Sequence, residues 1–133
     1  MRVFFDTNVL ASAAATRGLC ADLFRAVLAA DDLVTCPAVL NELKRVLARK
    51  FKVPPDDIAE FLDLLSAAAD LAEPGELPSV TLKDKDDLPI VAAAVNGHAD
   101  VLVTGDKEVL ALKRVGNVLL LSPRGLWERL EKG

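Results

Sequence analysis

One stretch restricts this chain more than any other: residues 3–8, V-F-F-D-T-N. Three apolar, β-favouring residues stop at a carboxylate, and polar residues then open a helix. The pattern is that of a buried strand delivering Asp6 to the edge of a sheet. In open α/β sheets, ligands bind outside the carboxyl ends of the strands, so an Asp there is rigidly held and accessible. It is a candidate metal ligand. The plainer alternative is a helix cap, a role that Asp, Thr and Asn all fill well. Three more acids at comparable places along the chain bear on the choice.

The rest of the sequence alternates strand and helix. Apolar runs at 33–36, 101–103 and 118–121 join 3–5 as strands, and 70–73 is a short edge strand. Helices are expected at 9–15, 19–30, 37–50, 56–69, 88–96 and 107–112, and Ser122 caps a last one. Arg17-Gly18, Pro54-Pro55, a loop at 74–78, Asn96-Gly97 and Gly116-Asn117 separate them. Such alternation, with continuous apolar strands, indicates a parallel sheet covered on both faces.

The 133 residues suit one domain, 1–133, with a core of its own. Aromatics make up only 5% of the residues, so that core must be built from Ala, Val and Leu. Asp6 interrupts the apolar run a signal peptide would need. No apolar run reaches the roughly 20 residues of a membrane span, so no membrane partner and a cytoplasmic location are expected. Cys20 and Cys36 have neither metal-ligand spacing nor a disulfide framework, and read as small core residues in a reducing compartment. His98, the single histidine, reads as a loop residue.

The acids carry the chemistry. Asp106 follows the strand at 101–103 as Asp6 follows the first. Asp87 opens an Ala/Val/Ile-rich helix whose Pro89 falls in the first turn, where no intrahelical donor is lost. In the helix from Pro37, the residues Val39, Leu40, Leu43, Val46 and Leu47 fill an arc of about 120°, and Glu42 lies about 40° beyond its border. Glu42 can therefore lean toward the sheet, although an i,i+3 ion pair with Arg45 is the simpler reading. Singly, each acid has such an explanation. Gathered at one sheet edge they do not: two carboxylates about 4 Å apart repel by ~4 kcal/mol at an effective dielectric near 20. Four need cations, and oxygen-only ligands suit Mg²⁺ or Mn²⁺. Ions held this way serve phosphoryl chemistry.

These residues also carry a resemblance. V-F-F-D-T-N-V at 3–9, N-E-L at 41–43, D-D-L-P-I-V-A-A-A at 86–94 and L-V-T-G-D-K-E-V-L at 102–110 resemble the PIN domain. Within it they are most similar to the VapC-like ribonuclease toxins of toxin–antitoxin modules. No single motif is specific; four in order over nearly the whole chain are. The resemblance implies a three-layer α/β/α sandwich with a central parallel sheet. It also implies a Mg²⁺/Mn²⁺-dependent RNA endonuclease, usually dimeric, with an antitoxin as a partner. The family's catalytic and metal-binding acids map onto Asp6, Glu42, Asp87 and Asp106, with Asp86 competing for the third place. Asn8 and Thr104 match supporting polar positions.

A formal charge of −4 is unusual for a nucleic-acid binder, yet four acids neutralised by metal would balance it. Arg17, Arg45, Arg49 and Lys107 are the candidate phosphate contacts. Two other classes compete. A catalytically silent PIN-like binding module would be expected to lack site acids, and none is missing. A haloacid-dehalogenase-type phosphatase needs Asp-x-Asp after the first strand, where this chain has Asp6-Thr7-Asn8. Apolar surface on the helices at 19–30 and 58–69 suggests a homodimer.

Overall fold

The computed structural model describes residues 1–73, 75–76 and 80–132. Among these residues, six strands form one sheet: β1 (Arg2–Phe5), β2 (Asp32–Thr35), β3 (Ala69–Leu71), β4 (Val101–Val103), β5 (Arg114–Val115) and β6 (Val118–Leu121). Their order is β3-β2-β1-β4-β6-β5, and every pairing is parallel except β5 with β6. Seven helices among the described residues flank it: α1 (Thr7–Ala15), α2 (Leu19–Ala30), α3 (Pro37–Arg49), α4 (Pro55–Ala68), α5 (Asp87–Asn96), α6 (Lys107–Ala111) and α7 (Pro123–Lys132). The expected α/β sandwich is therefore present. Of the loop expected at residues 74–78, only 75 and 76 fall among the described residues.

The central strands are apolar on both sides because both sides are covered. Val3, Phe4, Phe5, Val34, Leu102 and Val103 are all buried. Winding runs outward from β1 through β2 to β3, then returns to place β4 on the other side of β1. Right-handed crossovers then put α5 on the face opposite α2. That reversal makes the crevice between the carboxyl ends of β1 and β4 a topological switch point, the usual ligand position in such sheets.

Sequence pattern missed one element. β5 is two residues long and antiparallel, joined to β6 across Gly116-Asn117. Gly116 has φ of 58°, which favours glycine in so tight a turn. Cys36 is fully buried and Cys20 partly so, both as free thiols. His98 follows α5 with φ of 56°. Among the described residues, no helix is long and apolar enough to cross a membrane.

Candidate functional site

Asp6, Glu42, Asp87 and Asp106 come from four separate elements and line one cleft of about 430 Å³. The cleft sits at the switch point. Asp6 is the first residue past β1, and its backbone N–H continues the ladder to the Val103 carbonyl at 2.9 Å. Asp106 lies three residues past β4. Glu42 sits in the second turn of α3, half-buried, beside the fully buried Leu43. It makes no ion pair with Arg45; three ion pairs occur among the described residues, and neither residue is in any of them.

Asp6 and Asp106 each cap a helix and also line the cleft. Asp6 Oδ1 accepts from the Thr7 N–H at 2.7 Å, and Oδ2 accepts from the Thr104 hydroxyl at 2.8 Å. Asp106 Oδ1 caps α6, accepting from the N–H groups of Glu108 at 2.8 Å and Val109 at 3.2 Å. Thr104 is buried and ties the two acids together: its hydroxyl also accepts from the Asp106 N–H at 3.1 Å. Capping thus orients each carboxylate and leaves it lone pairs to spare, since each Asp6 oxygen accepts one of these bonds and Asp106 Oδ2 none.

Asp87 is different. Its Oδ2 is buried with no hydrogen-bond partner. Desolvation first, then the negative charges of Asp84, Asp106, Asp6 and Glu42, push its pKa up to about 6. Burial also raises Asp6, against the hydrogen bonds from Thr104 and Thr7 that lower it. Of the competing pair, Asp86 is exposed and Asp87 half-buried, yet both line the cleft. Asp84 lines it too, and organises the approach to α5: its side chain accepts from the Asp86 N–H at 2.9 Å and its carbonyl from the Asp87 N–H at 3.1 Å.

The donor set is all oxygen, and a buried carboxylate oxygen is left unpaired in it; both fit a hard divalent cation. Among the described residues, no group of three or more His, Cys, Asp or Glu is arranged to hold a metal ion. Mg²⁺ does not require such a cage, because it keeps several waters and is commonly bound through one or two carboxylates.

The sequence matches a family model, the PIN domain, over residues 2–108. The chain belongs to the PIN domain family. This PIN domain is similar in fold to a solved structure, VapBC2 from Rickettsia felis bound to a DNA fragment from its promoter. The two share 19% identity, and the match covers 92% of this chain and 98% of that one with a TM-score of 0.63. No curated protein matches it.

Other polar positions divide clearly. Asn8 lines the cleft of the PIN domain. Arg17, Arg45, Arg49 and Lys107 are exposed and outside the cleft lining. The basic residue that does line it is Lys50, just past the end of α3. Lys50 and Asp84 carry no motif, and only the fold brings them to the site.

Proposed function

We propose that this PIN domain is a Mg²⁺- or Mn²⁺-dependent endoribonuclease, the toxin of a toxin–antitoxin pair. The supporting observation is the set of four carboxylates, from four elements, facing one cleft at the switch point of the sheet. Asp6, Glu42, Asp87 and Asp106 are the residues that would hold the ion, Glu42 directly or through water. The ion, when bound, supplies an activated water and neutralises charge on the attacked phosphodiester.

The chain's own residues prepare for that. Thr104 and the Thr7 N–H fix both oxygens of Asp6, so no side-chain ordering is left for the moment of reaction. The α6 cap fixes Asp106 in the same way. Asp87 holds a proton more readily than a free Asp because its Oδ2 lies buried among other acids. Asn8 adds a polar group to the cleft wall. Arg17, Arg45, Arg49 and Lys107 remain candidates for flanking phosphates of a long RNA.

The partners follow the same reading. The R. felis neighbour was solved as VapBC2 on promoter DNA; an antitoxin is the proposed partner here, with a homodimer as the working unit in the cytoplasm. Leu64 on α4 and Leu71 on β3 are exposed apolar side chains available to such contacts. The test is direct. Purified protein should cut a mixed RNA pool with Mg²⁺ or Mn²⁺ and stop on addition of EDTA. Cleavage that persists in EDTA would overturn the metal-dependent reading.

A further inference from the structure

Among the described residues, the cleft is lined by six carboxylates, those of Asp6, Glu42, Asp84, Asp86, Asp87 and Asp106, and by one cation, Lys50. Opposite charges in one cleft would ordinarily pair. Lys50 does not: among the described residues it is in no ion pair and no hydrogen bond from its ammonium group. Its Nζ instead lies 5.6 Å from the centroid of the Phe51 ring. An aromatic face attracts an ammonium without satisfying its three N–H donors. The backbone helps hold it there, since Lys50 closes α3 in helical conformation with its N–H bonded to the Val46 carbonyl. The outcome is an exposed lysine on the wall of an acidic cleft, with its ammonium group in no ion pair among the described residues.

RNA poses the complementary problem. A phosphodiester brings negative charge to a wall of carboxylates, and a divalent ion offsets only part of that repulsion. A compact cationic donor on the same wall would draw a phosphate oxygen inward, a common use of lysine. We infer that Lys50 is the specific phosphate contact of the cleft, gripping a non-bridging oxygen of the RNA backbone next to the carboxylates. This rests on the nuclease reading above. It differs from the roles of Arg45 and Arg49, which lie on the same helix but outside the cleft lining.

The experiment compares wild type, Lys50→Gln and Lys50→Arg on a labelled single-stranded RNA of mixed sequence, with Mn²⁺, across a range of KCl. Gln removes the charge and keeps the first two methylenes of the stem, and circular dichroism checks that the fold is kept. Lys50→Gln should lose about tenfold in kcat/KM, mainly through KM. Its log–log salt slope should be shallower by about 0.7, the value for one lost phosphate contact on a single strand. Lys50→Arg should recover most of both. Fluorescence anisotropy with the same RNA should show the same loss when Lys50→Gln is added to an Asp106→Asn background, which reads binding apart from turnover. If wild type cuts RNA and Lys50→Gln matches it in kcat/KM and in salt slope, the inference fails while the nuclease reading stands. If wild type does not cut RNA at all, both fall together.

Discussion

The two ends of the sheet treat their acids in opposite ways. At the amino ends of the strands, Asp31 meets the N-terminal ammonium at 3.2 Å, Asp70 meets Arg2 Nη1 at 2.7 Å, and Asp100 accepts the Arg2 N–H at 2.7 Å. At the carboxyl ends, Asp6, Glu42, Asp87 and Asp106 face a common cleft, and none is in an ion pair among the described residues. Acids at the first end have partners and help to close the fold. At the second, Asp6 and Asp106 are held by a hydroxyl and backbone N–H groups, and the buried Asp87 Oδ2 by nothing. Charge left uncompensated in a folded protein costs stability, and a fold that retains it at one edge keeps that edge for a ligand.

The largest expected effect breaks this contrast at the cleft. Asp6→Asn, Glu42→Gln, Asp87→Asn and Asp106→Asn should each lower metal-dependent RNA cleavage by on the order of 10²-fold or more, as several kcal/mol of charge stabilisation are lost. Asp100→Asn, at the other end, should leave the rate unchanged. Single-turnover assays on folded protein would show it, and full activity in Asp6→Asn would remove Asp6 from the site.

Next comes stability at the amino end. Arg2 Nε and Nη2 both donate to the Gly97 carbonyl, at 3.2 and 2.8 Å. Arg2→Met should cost ~1–2 kcal/mol in urea unfolding, mainly through that carbonyl. Its metal response should match wild type. A metal response lost together with stability would mean that the two ends are not independent.

Titration sharpens the comparison from the other side. With Asp87 at about 6 against an ordinary 3.8, the native state binds its proton more tightly than the unfolded chain. The penalty for ionising Asp87 is therefore fully present above pH ~6, shrinks as pH falls through 6, and is gone below about 3.8. In EDTA, Asp87→Asn should melt above wild type at neutral pH, and the gap should close as pH drops toward 4. A gap independent of pH would place the effect elsewhere than in the carboxylate's charge.

The smallest effect concerns the metal itself. Mn²⁺ should raise the wild-type melting temperature, by an increment that grows with its concentration. Asp106→Asn keeps an N-cap acceptor for α6, so it should fold normally yet gain less from Mn²⁺. Equal gains in both proteins would leave Asp106 as a cap alone.

Much of this was legible in the chain, for identifiable reasons. The run at 3–5 had to be a strand because three apolar residues ended on an acid, and the apolar arc of α3 carried the orientation of Glu42 without any coordinates. Thr104 came from motif likeness; its double hydrogen bond needed the fold. Other features had no local signal. β5 is two residues, Arg114 and Val115, and exists through its partner β6 rather than through its own pattern. Lys50 and Asp84 reach the cleft from a helix end and a turn, where side-chain direction follows no period. Asp86 and Asp87 both line the cleft and differ in burial, which adjacent identical residues cannot announce.

Gly97 gives the molecule a lever. A methyl group there would stand 2.7 Å from the Ala72 Cβ, 2.9 Å from the Ala93 carbonyl oxygen and 3.0 Å from the Val34 Cγ1, so α5 sits on β2 and the residue after β3 as closely as backbone allows. Arg2 clamps the same residue from below. α5 runs from that foothold about 15 Å to its opposite tip, which carries Asp87. Adding bulk at the foot tilts the shaft, and the tip moves with it. The aim of a carboxylate at one end of the molecule is thus set by the absence of a single carbon atom at the other.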